Sequence, residues 1–241
     1  MELDEYRLMA AAERSHWWYA ATRALLGDVL RPHLAGRPRV LDAGCGTGAA
    51  GGWLGAHGDV VGVDVERLAL RLYRESRPAS ALAAASLAAL PLASASFDVV
   101  LCVTVLYHRR VEDPAAVTRE LARVLRPGGV LCLLEPGMPS LRRAHDRVTH
   151  TARRFSRADL RGLLAGAGLT PLRTTGAYSF LALPARVKAA LEADEAPESD
   201  LASGGGPVGA ACSLLARIER RWLAKRDLPI GLSVLGVGVK P

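Results

Sequence analysis

The chain has 241 residues and a formal net charge of +7, with a sequence pI of about 9.7. This length fits one large α/β domain with an appendage, and the 50% of residues that are hydrophobic suffice for a sizeable core. Aromatic residues make up only 5% and do not interleave with the arginines, so we do not expect a nucleic-acid-binding platform. No stretch is long and apolar enough to span a bilayer.

The cysteines and the first residues indicate the compartment. The four cysteines are widely spaced without a C-x-x-C pair, which is typical of buried thiols in a reducing environment. The sequence begins with acidic residues where a secretory signal would be basic. We therefore expect a soluble, cytoplasmic protein. No histidine spacing suggests metal ligation, so we expect no metal.

The N-terminal segment is predicted to be helical. Residues 3–30 carry apolar side chains at helical spacing. Within them, HWWY at 16–19 places three aromatic rings on adjacent positions, about 100° apart on a helix. Either all three pack between the helix and the domain, or at least one faces a partner surface or covers a cleft. We treat residues 1–37 as an N-terminal helical cap.

From residue 39 onward, apolar strands alternate with helices. Continuous apolar strands separated by helices predict a parallel sheet that is covered on both faces. Asp113 is a plausible N-cap, followed by Pro114 in the first turn of a helix. The predicted strands are residues 40–43, 60–64, 80–85, 97–103 and 130–135, and the predicted helices are 49–56, 66–74 and 114–125.

The last third of the chain has a different pattern. A capped helix is predicted from Ser156 to Gly166 or Gly168, followed by a strand at 170–177. The alternating run at 231–239 suits a final strand. Between these strands we expect helices at 180–193 and 212–225, joined by a mobile segment at 194–207 rich in acid, Ser, Gly and Pro. Residues 179–227 would then cover the substrate.

The first strand runs into a glycine turn with the sequence DAGCGTG at 42–48. Glycines at alternate positions remove every Cβ from one face of the turn, so a ligand can approach the backbone. GTGAAG at 46–51, with Asp64 downstream, also matches the dinucleotide-binding pattern. However, Asp42 would repel a pyrophosphate and attract an ammonium or a sulfonium.

Five motifs then occur in order: VLDAGCGTG (40–48), VGVD (61–64), ALPL (89–92), SFDVV (96–100) and LRPGG (125–129). With these motifs, residues 38–136 resemble the class I S-adenosylmethionine-dependent methyltransferases of the small-molecule group often called type 11. A looser likeness, at residues 13–23, 145–155 and 228–233, is to a bacterial subset with a Trp-rich N-terminal helix.

The resemblance implies a Rossmann-like α/β fold. Its sheet would be mostly parallel and seven-stranded with an antiparallel last strand, with helices on both faces and helical lid elements at both ends of the chain. The S-adenosylmethionine-binding core would comprise residues 38–178, and residues 228–241 would supply its final strand.

The resemblance also implies S-adenosylmethionine as cofactor, S-adenosylhomocysteine as product, and roles by position. Asp42 would serve the ammonium group, Asp64 would accept both ribose hydroxyls, and Val65 would pack on the adenine. Ser86 stands where the family usually has an acid for the adenine amino group, and a neutral acceptor is roughly half as strong. The other cofactor-binding candidates are Gly44, Cys45, Gly46, Gly48, Leu87, Val103, Tyr19 and Arg23.

The acceptor side is less defined. Residues 103–108 read VTVLYH. Members of the superfamily that methylate amino groups have a motif resembling Asn/Asp-Pro-Pro-aromatic at this position. Its absence disfavours methylation of DNA amines or of a protein glutamine. His108 is the first candidate for a general base because its unperturbed pKa lies near neutrality, and His145 is the second. Tyr107 and Tyr19 are alternatives. The candidate substrate contacts are Trp17, Tyr107, His150 and Arg154.

We expect methyl transfer to an O, N or C nucleophile of a small molecule, in natural-product biosynthesis or glycan modification. Arginines clustered at 142–161 are either a solvated basic face or a contact for an anionic acceptor. Three alternatives stay open: an RNA or protein methyltransferase, a non-methylating cyclase or binding protein on the same fold, and an NAD-type dehydrogenase. The sequence does not fix the oligomeric state, and a homodimer is one option.

Overall fold

The computed structural model describes residues 3–78, 80–191 and 206–241. Its strands are β1 (Arg39–Ala43), β2 (Asp59–Asp64), β3 (Ala81–Ala84), β4 (Phe97–Val103), β5 (Leu125–Pro136), β6 (Thr170–Ala177) and β7 (Ser233–Val239). Within the described residues they form one seven-stranded sheet in the order β3-β2-β1-β4-β5-β7-β6. β7 pairs antiparallel with β5 and β6, whereas β1 to β5 pair in parallel. The predicted sheet is confirmed.

Helices cover both faces of this sheet. On one face, Leu121 and Leu160 share a buried cluster with Val100 and Leu131, and on the other, Leu26 and Ala216 share one with Leu101 and Cys132. The helices are α1 (Leu3–Ala12), α2 (Trp17–Leu30), α3 (Arg67–Ser76), α4 (Pro114–Val124), α5 (Ala144–Val148), α6 (Arg157–Gly166), α7 (Ala182–Leu191) and α8 (Gly206–Leu223). In the part of the chain that the structure describes, no helix is long and apolar enough to cross a membrane.

The single N-terminal helix predicted at 3–30 is wrong, because the chain breaks between α1 and α2. The N–H groups of Ser15 and His16 both bond to the Ala12 carbonyl, which closes a turn. His16 then caps α2 with its Nδ1, which accepts the Trp18 N–H at 3.1 Å. This break lets α1 leave the direction of α2 and pack against α3.

The helix predicted at 49–56 is also wrong, since only a short 3-10 turn at Gly52–Ala56 follows the glycine turn. Two consecutive glycines disfavour a helix here, and a Cβ on Gly51 would lie only 2.1 Å from Asp42 Oδ2. β5 begins earlier than predicted, at Leu125. α8 likewise begins at Gly206, and the rest of the segment predicted to be mobile lies outside the described residues.

Candidate cofactor and acceptor site

The glycine turn lies at the carboxyl end of β1, and its three alternate glycines all have positive φ: 72° at Gly44, 53° at Gly46 and 92° at Gly48. A Cβ on Gly44 would lie 2.3 Å from a methyl group of Val105, and one on Gly48 would lie 2.7 Å from the Tyr73 ring. Both backbone conformation and space therefore require glycine at these two positions. The turn presents bare backbone at the edge where α/β sheets bind ligands.

Asp64 ends β2 beside this turn and is 9% exposed. Its Oδ2 accepts the Gly46 N–H and its Oδ1 accepts the Glu66 N–H, both at 2.8 Å. Burial raises its pKa, and these two bonds lower it in part. The bonds fix the orientation of the carboxylate while each oxygen keeps a further lone pair, which suits a pair of vicinal hydroxyls. Its assignment to a ribose stays a prediction.

Asp42 lies under the turn and is 1% exposed. Burial, and then the charge of Asp64, raises its pKa to about 7, while Arg77 and the Gly51 N–H lower it. Among the described residues, its Oδ2 has no hydrogen-bond partner. A buried, incompletely paired carboxylate is costly unless a cation approaches it. This environment is suited to an ammonium and hostile to a pyrophosphate.

The N-terminal cap closes the open side of the turn. Met9 of α1 brings its terminal methyl within 3.8 Å of the position that a Cβ on Gly46 would occupy. Tyr6 is 8% exposed, and its pKa is raised by burial and then by the nearby carboxylates of Asp64 and Glu66. The cap thus contributes side chains to the same site as the turn.

Glu13 and Arg77 are two site residues that the sequence did not indicate. Glu13 follows α1, is 6% exposed, and its Oε2 lies 3.7 Å from Arg77 Nη1. Arg77 Nη1 also donates to the Thr47 carbonyl at 3.5 Å. The available signal for Glu13 was an acid three residues before the HWWY run at 16–19. Arg77 had none, because it is simply the residue that follows α3.

The predicted cap residues divide between the turn and the core. Tyr19 is 4% exposed and stacks edge-on with Trp18 at 5.1 Å between ring centroids. Arg23 donates to the Glu13 carbonyl at 3.1 Å. Trp17 packs edge-on against Tyr178 at 5.9 Å, so it contacts the segment after β6. The rings point in different directions, as expected of adjacent helical positions. The cofactor and substrate roles of these residues stay predictions.

The predicted adenine contacts lie at the ends of β2 and β3. Val65 is 57% exposed directly after Asp64, whereas Leu87 is 8% exposed. Ser86 is exposed, and its Oγ accepts the Ala88 N–H at 3.2 Å, so it caps its own turn while keeping a lone pair.

Cys45 and Val103 are buried beside the turn. A Cβ on Gly62 would lie 3.0 Å from Cys45 Sγ, so this thiol points toward β2 and offers a ligand only its backbone. Burial raises the pKa of the Cys45 thiol. Val103 ends β4 at 6% exposure. Both stay predicted cofactor contacts.

Glu135, which the sequence did not indicate, holds the loop after β4. It is fully buried at the end of β5, and burial raises its pKa to about 8 against the lowering effect of three backbone N–H groups. Its carboxylate accepts the N–H groups of Val105, Leu106 and Tyr107 at 3.1, 2.9 and 3.2 Å. Thr104, just before them, has φ of 52°. An acid that ends an apolar strand was the only sequence signal.

The candidate bases lie on and beside this loop. His108 Nδ1 accepts the Arg110 N–H at 3.0 Å, and burial is the largest cause that lowers the pKa of His108 to about 4. This imidazole is therefore neutral at physiological pH. Its ring centroid lies 5.7 Å from that of His150, while His145 lies on α5. Tyr107 is 8% exposed beside them. Their catalytic and substrate roles stay predictions.

A basic cleft of about 530 Å³ lies beside this loop. Its one acid, Asp146, forms a two-point ion pair with Arg154, which is 6% exposed and also donates to the Gly137 carbonyl. Arg154 is therefore held inside by these contacts, and its predicted contact with substrate stays a prediction. Four arginines and one acid line the cleft, so its wall is rich in basic side chains. The lining residues are Arg109, Arg142, Arg143, Asp146, Arg147, His150 and Thr151.

Within residues 3–78, 80–191 and 206–241, no group of three or more His, Cys, Asp or Glu side chains is placed to hold a metal ion.

The family model and two relatives that match this chain are described as methyltransferases. A family model described as a methyltransferase domain (Methyltransf_11) matches residues 41–133. The malonyl-[acyl-carrier protein] O-methyltransferase of Erwinia pyrifoliae is 32% identical over 187 residues, covering 72% of this chain and 68% of that protein. The protein of the same name from Enterobacter lignolyticus is 36% identical over 167 residues, which cover 65% of this chain and 63% of that protein. The chain thus spans about two thirds of these relatives.

Among solved structures, the [4+2]-cyclase SpnF superposes with a TM-score of 0.62 at 20% identity, covering 95% of this chain and 85% of that one. This likeness is one of fold.

Proposed function

The chain belongs to the S-adenosylmethionine-dependent methyltransferases, and from this we propose that it transfers a methyl group from that cofactor to a small-molecule acceptor. The observation that carries the proposal is the charge around the glycine turn. Asp42, Asp64 and Glu13 are all buried there, and two basic residues contact this group: Arg77 beside the Glu13 carboxylate and Arg23 at the Glu13 carbonyl. This excess of buried negative charge fits a ligand with an ammonium and a sulfonium.

Residues of both the core and the cap would bind the cofactor. Asp42 would bind its ammonium and Asp64 its ribose hydroxyls, while Val65 and Leu87 would flank the adenine. The turn glycines, Tyr19 and Arg23 would surround the remainder. When bound, S-adenosylmethionine supplies a methyl group activated by its sulfonium. The division into a cap (1–37), a core (38–178), a cover (179–227) and a final strand (228–241) is part of the proposal.

The chain's own contribution to catalysis would be alignment and exclusion of water. Methyl transfer is an in-line displacement, so the acceptor must be held in one orientation. The loop after β4 would position the acceptor. Glu135 fixes this loop by accepting three of its backbone N–H groups. His108 stays the first candidate to take a proton from the acceptor and His145 the second. A pKa of about 4 makes His108 a weak base, and its Nδ1 would have to release the Arg110 N–H before it could accept the proton.

We propose an acceptor that carries an anionic group such as a carboxylate or a phosphate. The support is the basic cleft, which lies against the loop that follows β4. The relatives named as O-methyltransferases favour oxygen as the nucleophile. We place the activity in natural-product or glycan metabolism and in the cytoplasm.

The test is a transfer assay with S-adenosylmethionine labelled in its methyl group and a fractionated extract of small metabolites. We expect label in an acceptor that an anion exchanger retains, and less label with the Asp64→Ala variant at a cofactor concentration below the wild-type Kd. Label recovered on RNA or protein would contradict the small-molecule proposal. Tight cofactor binding without transfer to any fraction would favour a cyclase or binding protein instead.

A further inference from the structure

Three buried polar atoms around the glycine turn lack a hydrogen bond of normal geometry within the described residues: Glu13 Oε1, Asp42 Oδ2 and Thr47 Oγ1. Their residues are 6%, 1% and 2% exposed. They come from the cap, from β1 and from the turn itself, so the chain brings them together only on folding. Buried polar groups are nearly always satisfied. A cluster of exceptions at one place therefore indicates a site that a ligand completes.

Neighbouring side chains leave Glu13 Oε1 without a hydrogen bond of normal geometry. The Arg77 guanidinium lies 3.7 Å from its Oε2, beyond hydrogen-bond distance, and also donates to the Thr47 carbonyl. Burial raises the pKa of Glu13, while the Thr47 hydroxyl, Arg77 and Arg23 lower it only in part. Glu13 in turn contributes to the raised pKa of Asp42. Two buried carboxyl groups that repel each other are stabilised by a cation between or beside them.

Backbone contacts attach Glu13 firmly to the cap. Its N–H bonds to the Met9 carbonyl at 2.9 Å, which joins it to the end of α1. Its carbonyl accepts Arg23 Nη1 at 3.1 Å, which joins it to α2. Met9, one turn earlier, is the residue that lies over Gly46. A ligand that binds the Glu13 carboxylate would therefore also hold α1 over the turn.

We propose that Glu13 binds the ammonium group of S-adenosylmethionine together with Asp42, and that this contact couples cofactor binding to the docking of α1. The inference rests on the proposed function and extends it, because Glu13 lies outside the matched methyltransferase domain at residues 41–133. The cap is then a part of the cofactor site as well as its cover.

The test is a cycle of two proteins and two ligands, measured by titration calorimetry. The ligands are S-adenosylhomocysteine and an analogue in which hydrogen replaces the amino group. We expect Glu13→Gln to weaken S-adenosylhomocysteine by about 10- to 100-fold, as for loss of a charge-assisted contact, and the analogue by less than about twofold. Glu112→Gln, at an exposed glutamate, is the matched control and should change neither affinity. Equal weakening of both ligands, or of neither, would overturn the proposal.

Two further readouts separate ligand binding from a structural role. Without ligand, Glu13→Gln should melt at the same temperature as the wild type or higher, because it removes a buried repulsive charge. A lower melting temperature, together with equal loss of both ligands, would make Glu13 a structural partner of Arg77 and overturn the proposal. In the wild type, S-adenosylhomocysteine should slow amide exchange in residues 3–16 and the analogue should not. If the wild type fails to bind S-adenosylhomocysteine at all, the proposed function falls, whereas loss of the Glu13 effect alone leaves it standing.

Discussion

Affinity for S-adenosylhomocysteine should rise with pH through the ionisation of Asp42. Burial and the charge of Asp64 raise the pKa of this residue to about 7 in the unliganded protein. With that value, about 9% of Asp42 is ionised at pH 6 and about 91% at pH 8. If only the ionised form binds the ammonium, affinity should increase about tenfold over this interval. The charged groups that act on Asp42 are Asp64, Glu13 and Arg77.

The assay is titration calorimetry with S-adenosylhomocysteine at pH 6, 7 and 8, in buffers of equal ionic strength. Asp42→Asn should bind more weakly than the wild type at pH 8 and should lose most of the pH dependence. A wild-type affinity that is constant between pH 6 and pH 8, or that falls, would refute the role given to Asp42.

The stability of the unliganded protein should change in the opposite direction. The pKa values of Asp42 and Glu135 are raised by folding, to about 7 and about 8. The folded protein therefore binds more protons than the unfolded chain above pH 4, and stability is lost as pH rises through these values. The melting temperature should be higher at pH 6 than at pH 8, and a saturating ligand should reduce the difference.

Three substitutions test other parts of the site. Asp64→Ala should weaken S-adenosylhomocysteine by about 1–3 kcal/mol in calorimetry, and unchanged affinity would place the ribose elsewhere. Glu135→Ala leaves three backbone N–H groups without their acceptor and should lower the free energy of unfolding by about 3 kcal/mol or more. A loss below about 1 kcal/mol in a denaturant titration would mean that the loop reorganises. His108→Asn should lower kcat at least about 100-fold without changing cofactor affinity if His108 is the base, and a smaller loss excludes that role.

Local patterns predicted much of the fold because the signals lie within single elements. The apolar run at β4 and the caps at Asp113 and Ser156 lie where the sequence places them. The break before α2 was missed because His16 caps it with an imidazole nitrogen, a less common capping group than Ser, Thr, Asp or Asn. The residue types of residues 3–30 alone favour one continuous helix.

The candidate site was predicted where a motif fixes a backbone conformation, as in the glycine turn with its positive φ values. It was not predicted where a role depends on distant neighbours. Glu135 acts on N–H groups 28 to 30 positions earlier, and Glu13 lies against Arg77, 64 positions later. Spacing within a motif carries no information about such contacts, because only the folded chain brings these residues together.

The most direct test of the central claim is a crystal structure with S-adenosylhomocysteine bound. We predict its methionyl portion at the glycine turn with the ammonium next to Asp42 and Glu13, and its ribose on Asp64. A ligand bound away from the turn, or an ammonium that faces neither carboxylate, would contradict the account.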